Sequence, residues 1–199
     1  MRKLILSMQI SLDGFVVGEN NDMHWIATDT PEIWDDLFDM LEDVDLFLLG
    51  RGMYAGYRDY WKKALGVTDF SENEVKYARL AATAPHIVFS STLKDPQWEN
   101  TRIMNGNVVE EVRKLKQQEG KSIQIVGGAQ LASTLLEAGL VDEYKLTVNP
   151  IIVGKGKSLF QNITKQRELE LLEIKQMPGG VVVLRYRSTY PNRIPIGER

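Results

Sequence analysis

The sequence contains no cysteine, and only two of its 199 residues are histidine. Without thiols there is no disulfide framework, zinc finger, iron–sulfur cluster or cysteine nucleophile, and the absence suits a reducing cytoplasm. His24 and His86 fit neither H-x-x-x-H nor H-x-x-E-H spacing, so no metal site is expected. His86 opens an apolar run and reads as structural, whereas His24, beside Trp25 in a polar loop, is open to lining a pocket. There is no cationic excess either. Lys and Arg number 24 against 27 Asp and Glu, a net charge of −3, which argues against nonspecific nucleic-acid binding. No run reaches the ~18 apolar residues of a membrane helix. The opening MRKLILSMQI is interrupted by Ser7 and Gln9, which suits a first strand better than a signal peptide. Three motifs are missing as well. G-x-G-x-x-G and G-x-S-x-G do not occur, and GKGKS at 154–158 has Ile151 where a P-loop needs its first glycine.

What is present describes an ordinary globular chain, 43% hydrophobic and 26% charged. We expect one domain over 1–187 and a polar tail over 188–199. Strands are expected at Lys3–Ile10, Asp45–Leu49, around HIVFS, at Ser122–Val126 and at Glu143–Val148. A terminal pair follows at Leu169–Lys175 and Val181–Tyr186, around the turn signal MPGG. Helices alternate with them. One starts at Thr30–Pro31 with Glu32 in its first turn, one follows GRGMYAGY, and one opens with the capping-box pattern Ser71–Glu74. Another carries Val108, Val112 and Leu115, and the last spans Ala129–Ala138 with Gly139 as its left-handed stop. Strand and helix in alternation, then a hairpin, predict a mostly parallel α/β sheet covered on both faces with an antiparallel edge.

Three strand ends look alike: LLGRGMY, VFSSTL and IVGGAQL. Each places Gly, Ser or Arg just past an apolar strand, where open α/β sheets bind ligands. Gly50, Gly127 and Gly128 would let a phosphate reach free helix amides. Ser90, Ser91 and Thr92 add hydroxyls, and Arg51 adds a planar cation. The residues therefore point to a phosphate-bearing ligand, with a tight turn and close packing as the plainer alternative for each glycine. Acid candidates are Asp13, at the end of the first strand, and Glu32, Asp35 and Asp36 on the first helix. For these, a turn residue or a solvated helix face is the plainer reading. Lys155 and Lys157 lie on a loop suited to an anionic substrate.

Taken in order, QISLDGF (Gln9–Phe15), LLGRGMY (Leu48–Tyr54), IVFSSTL (Ile87–Leu93), IVGGAQL (Ile125–Leu131) and VDEYKLTVNPIIVGKGKSLF (Val141–Phe160) resemble the dihydrofolate reductase-like superfamily. Within it they are most similar to the reductase domain of the bifunctional riboflavin-biosynthesis deaminase–reductase and its stand-alone relatives. The resemblance runs from Arg2 to Tyr186. It implies a mixed sheet, NADPH as cofactor, a homodimer, and reduction of 5-amino-6-(5-phosphoribosylamino)uracil or a similar substrate. It sets Gly50, Arg51 and Met53 near the adenosine-side phosphates, and Ser90, Ser91 and Thr92 near the adenosine ribose and its 2′-phosphate. Gly127, Gly128, Ala129, Gln130 and Leu131 fall on the pyrophosphate and nicotinamide side, with a cis peptide expected between the two glycines. Asp13 or Asp36 would supply the proton, Trp25 would shelve the heterocycle, and Lys155 and Lys157 would meet the ribose phosphate. The chain departs from the family pattern at Ser91, where relatives often carry Arg, and at GRGMY, where GRKTY is commoner. Reduction of a pterin or another imine or carbonyl compound, and a non-catalytic nucleotide-binding dimeric scaffold, are the alternatives.

Overall fold

The computed structural model describes residues 1–27 and 30–189, so most of the expected tail lies outside the described residues. The first strand, β1 (Leu4–Ser11), turns at Gly14 into the short β2 (Phe15–Gly18). Helix α1 (Pro31–Leu41) starts as its sequence suggests. Thr30 is extended and Pro31 takes the first helical position, although the Thr30 side chain makes no capping bond. β3 (Val44–Gly50) passes directly into α2 (Arg51–Ala64). α3 (Glu72–Thr83) carries the expected capping box, in which Glu74 N donates to Ser71 Oγ at 3.3 Å and Ser71 N donates to Glu74 Oε2 at 2.8 Å. Then come β4 (His86–Phe89), β5 (Thr101–Met104), α4 (Val108–Gln117), β6 (Ser122–Gly127), α5 (Ala129–Glu137) and β7 (Glu143–Asn149). Gly139 ends the α5 segment at φ +66, as its position predicts. β8 (Gly156–Ser158), β9 (Leu169–Gln176) and β10 (Val182–Ser188) complete the order. No helix among the described residues is long and apolar enough to cross a membrane.

Eight strands form one sheet in the order β5-β4-β3-β6-β1-β7-β10-β9. Pairing is parallel from β5 to β7 and antiparallel from β7 through β10 to β9. This is the α/β architecture the alternation of elements predicts. Two elements escape that prediction. TRIM at 101–104 is too short and too polar to signal a strand, and becomes one because β4 offers it a free edge, from His86–Thr101 to Phe89–Met104. The expected loop at Lys155–Lys157 is in part a strand, since Lys157 lies in β8 and pairs with Val17 of β2 in a separate two-stranded sheet.

The sheet is buried on both faces. One face sets Leu4, Leu6, Leu48 and Ile125 against Val112 and Leu115 of α4 and Leu131 and Leu135 of α5. The other sets Phe47, Leu49 and Val88 against Leu41 of α1, Tyr54 and Tyr57 of α2, and Tyr77 of α3. Apolar runs this dense fit strands covered by helices on both sides.

The site follows from the topology. From β1 the chain crosses past β6 to β3, and from β6 it crosses past β1 to β7. The β1–β6 boundary is thus where connections diverge, and a crevice belongs outside the carboxyl ends of these strands. The ladder opens there. β1 pairs with β6 only from Leu4–Ile123 to Leu6–Ile125, yet it stays paired with β7 as far as Ser11–Asn149. Ser7 to Ser11 therefore part from Val126 and Gly127.

Candidate active site

The ends of β3, β4 and β6 meet beside this opening. Gly50 and Gly128 pack backbone to backbone: a Cβ on Gly128 would lie 3.3 Å from Gly50 Cα, and one on Gly50 would lie 3.4 Å from Leu131 Cβ. Gly128 also holds φ +94, a conformation few other residues accept. Arg51 Nη1 donates to Thr92 Oγ1 at 2.6 Å, which ties the β3 end to the β4 end. Ser90 is buried, and its Oγ accepts from Thr92 N at 3.2 Å and Leu93 N at 2.9 Å, shaping a turn that leaves Ser91 and Thr92 exposed. Helices α2 and α5 start at Gly50 and Gly128 without a side-chain cap, whereas α3 and α4 are capped by Ser71 and Asn107. The first-turn amides at 51–53 and 129–131 have no helical acceptor and favour an anion. Gln130 is exposed here, while Ala129 and Leu131 are buried.

Two expectations need correction. A Cβ on Gly127 would lie 2.1 Å from Met53 Sδ, so the space above this glycine is filled by the thioether and is not bare. Met53 accordingly packs against the aromatic cluster of α2 and α3 instead of standing free toward a phosphate. The Gly127–Gly128 peptide is trans, and no cis peptide occurs among the described residues.

Neither Asp13 nor Asp36 is poised to release a proton near neutral pH. Asp13 is exposed. Its carboxylate accepts from Ser11 Oγ at 2.6 Å, Val153 N at 3.0 Å and Gly154 N at 2.8 Å, and these bonds, the Ser11 hydroxyl first, lower its pKa to about 2. It ties the 151–154 loop to the end of β1. Asp36 is buried between two lysines, with Lys145 Nζ 2.5 Å from Oδ2 and Lys175 Nζ 2.6 Å from Oδ1. Burial pushes its carboxyl up, but the bonds and charges of the lysines outweigh it and hold Asp36 below the ordinary carboxylate range. The expected acid on α1 is thus a carboxylate that clamps α1 to β7 and β9.

The floor of the crevice is a feature the motifs did not reveal. On the α1-facing side, β1 presents Ser7, Gln9 and Ser11, and β7 presents Lys145, Thr147 and Asn149. The opposite side of the same strands carries Leu6, Ile10, Tyr144 and Leu146, all in the core. Polar residues at every second position, in SMQIS and KLTVN, were the available signal. Asn149 Nδ2 donates to Gln9 Oε1 at 3.1 Å. Gln9 Nε2 donates to Ala27 O at 2.9 Å, and Ala27 N donates to Asn149 Oδ1 at 3.2 Å. This ring of bonds fixes the Trp25–Ala27 segment over the floor. The Trp25 indole Nε1 is buried there without a partner among the described residues. Lys155 and Lys157 are exposed. Lys157 donates to Asn21 Oδ1 at 2.6 Å, and Lys155 shares an open groove with Glu19 and Asp22. His24 is exposed and bonds Asp22 at 2.5 Å, while His86 is buried as its sequence position suggests, bonding Ala84 O at 2.7 Å and the Tyr57 hydroxyl at 3.2 Å.

Residues 2–183 match the RibD C-terminal domain. The chain belongs to that family. Its ordered motifs resemble the same family. It is 33% identical over 186 residues to the uncharacterized protein YyaP of Bacillus subtilis (strain 168), covering 93% of this chain and 94% of that protein. In fold it is similar to a Shewanella sp. PV-4 protein assigned to riboflavin biosynthesis, with a TM-score of 0.75 at 18% identity over 96% of this chain and 100% of that one. It is also similar to dihydrofolate reductase from Enterococcus faecalis complexed with NADP(H), with a TM-score of 0.58 at 15% identity over 94% and 97% of the two chains. At these identities the solved structures speak to the fold.

Proposed function

We propose that this RibD C-terminal domain protein is an NADPH-dependent reductase of the 5-amino-6-(5-phosphoribosylamino)uracil type. The observation that carries the reading is the convergence of the β3, β4 and β6 ends, with Gly50 against Gly128 and Arg51 bonded to Thr92, beside the opening between β1 and β6. These residues fit a dinucleotide phosphate. Arg51 is a planar cation held against the exposed Thr92 hydroxyl, and two uncapped helix starts face the same edge. In this reading Arg51, Ser91 and Thr92 hold the adenosine end, and the amides at 128–131 hold the diphosphate. Bound NADPH supplies a hydride. The chain's own part is to seat the acceptor on the polar floor under Trp25 and to keep water from the opening. With Asp13 and Asp36 both held as carboxylates, the proton comes from solvent. We further read the functional unit as a homodimer, supported by the exposed Ile152, Leu171 and Ile174.

Fluorescence titration with NADPH and NADH, followed by NADPH oxidation with the ribosylamino pyrimidine or with dihydropterin, tests this. Tight NADPH binding with turnover of the pyrimidine is expected. Binding of neither nucleotide would remove the reductase reading, and turnover of the pterin alone would move the substrate.

A further inference from the structure

We propose that Ser7 and Thr147 are specificity-determining residues whose hydroxyls take the amide edge of a neutral heterocyclic ring laid on the crevice floor. This rests on the reductase reading above and adds the residues that would select the ring. Thr147 is 6% exposed, and its Oγ1 has no hydrogen-bond partner among the described residues. It lies between Lys145, which reaches Asp36 on α1, and Asn149, which bonds Gln9, so its side chain points to the same α1-facing side. Ser7 sits opposite Lys145 in the β1–β7 register, is half-buried, and likewise has an unpartnered hydroxyl among the described residues. It is the first residue of β1 beyond the last pair with β6, so it stands at the point where the sheet opens. On β6, Gln124 is 3% exposed, its Oε1 is buried without a partner among the described residues, and it pairs with Ile5, one step along the same face from Ser7.

Buried polar groups are ordinarily bonded, and leaving one unpaired is costly. Gln124 Oε1 is such a group, and the Ser7 and Thr147 hydroxyls stand open beside it, so a ligand at this opening supplies partners to all three. Their character sets the ligand's chemistry. A hydroxyl donates and accepts, and the Gln124 carbonyl accepts, so the set matches a ring edge with adjacent N–H and C=O groups. The charges facing this floor are already matched. Asp36 of α1 is engaged by Lys145 of β7 and Lys175 of β9, and Arg185 of β10 lies 3.4 Å from Glu173 of β9. Among the described residues the floor therefore offers no free charge to an ionic ring.

Calorimetric titration with 5,6-diaminouracil, with and without saturating NADPH, tests the assignment on the wild type and on T147V, S7A and T147S. T147V keeps the side-chain shape, and thermal melts confirm that each variant folds. Binding of the wild type, a loss of about tenfold or more in affinity for T147V and for S7A, retention in T147S, and NADPH binding unchanged throughout would support the inference. Equal binding by all four proteins, or no binding of the ring by a wild type that takes up NADPH, would overturn it while leaving the cofactor reading intact. A wild type that fails to bind NADPH would overturn the reductase reading and this inference together.

Discussion

Met53 and Gly127 share one volume: the methionine thioether sits where a side chain on the glycine would begin, 2.1 Å from an ideal Cβ. The contact joins the first turn of α2 to the last residue of β6, on the lip of the crevice. G127A should therefore destabilise the protein by about 1–3 kcal/mol, through overpacking against a flexible neighbour. M53A should recover part of that loss in the double variant. Urea unfolding of both single variants and the pair gives the coupling, and strict additivity would show that Met53 is not the obstacle.

The buried Asp36–Lys145 pair predicts an asymmetry between breaking the bridge and replacing it. K145M alone should cost about 3 kcal/mol, because Asp36 is left buried with only the half-buried Lys175 beside it. D36L/K145M should fall within about 1 kcal/mol of the wild type, since an apolar pair needs no desolvation of charge. Chemical denaturation decides between them. A double variant no better than K145M would mean that the clamp depends on charge at this position.

His86 makes stability fall in mild acid. Burial lowers its pKa from 6.5 to about 4, so the unfolded chain takes up the proton first as the pH falls. Between these values the unfolded state holds more protons, and stability drops with decreasing pH by about 1.4 kcal/mol per unit, roughly 3 kcal/mol in all. Above pH 6.5 this group contributes no slope. H86F, placed between the rings of Phe47 and Trp98 at 5.2 and 5.3 Å, should flatten the profile from pH 6.5 to 4 in thermal melts.

Asp13 should act as a loop anchor. D13A is expected to speed amide exchange at Val153 and Gly154, the two residues whose N–H groups it accepts. With a folded pKa near 2, it should leave no ionisation between pH 4 and 8 in a rate profile. An acidic limb in that range that disappears in D13N would instead make it a proton donor.

Much of this could be read along the chain. The capping box at Ser71–Glu74, the left-handed Gly139, the strand ends at Gly50 and Gly128 and the structural His86 all depend on neighbours a few residues away. The TRIM strand could not be read, because its only reason to be extended is the free edge of β4. The polar floor was missed for a related reason. SMQIS and KLTVN each look like an apolar strand with interruptions until their register shows that the interruptions face one another. Asp13 and Asp36 were legible as acids, but not as a hydrogen-bonded loop anchor and an ion-paired carboxylate.

The amino-acid sequence by itself determined the alternation of strands and helices, the family, and the glycines that end β3 and β6, because periodicity, capping and turn chemistry act over a handful of residues. Only the tertiary structure decided that Met53 covers Gly127, that Lys145 neutralises Asp36 from 109 positions away, and that the Ser7 and Thr147 hydroxyls have no partner among the described residues at the opening. A carboxylate's charge state and a hydroxyl's lack of a partner are set by what packs against it, and packing joins residues that the chain keeps far apart.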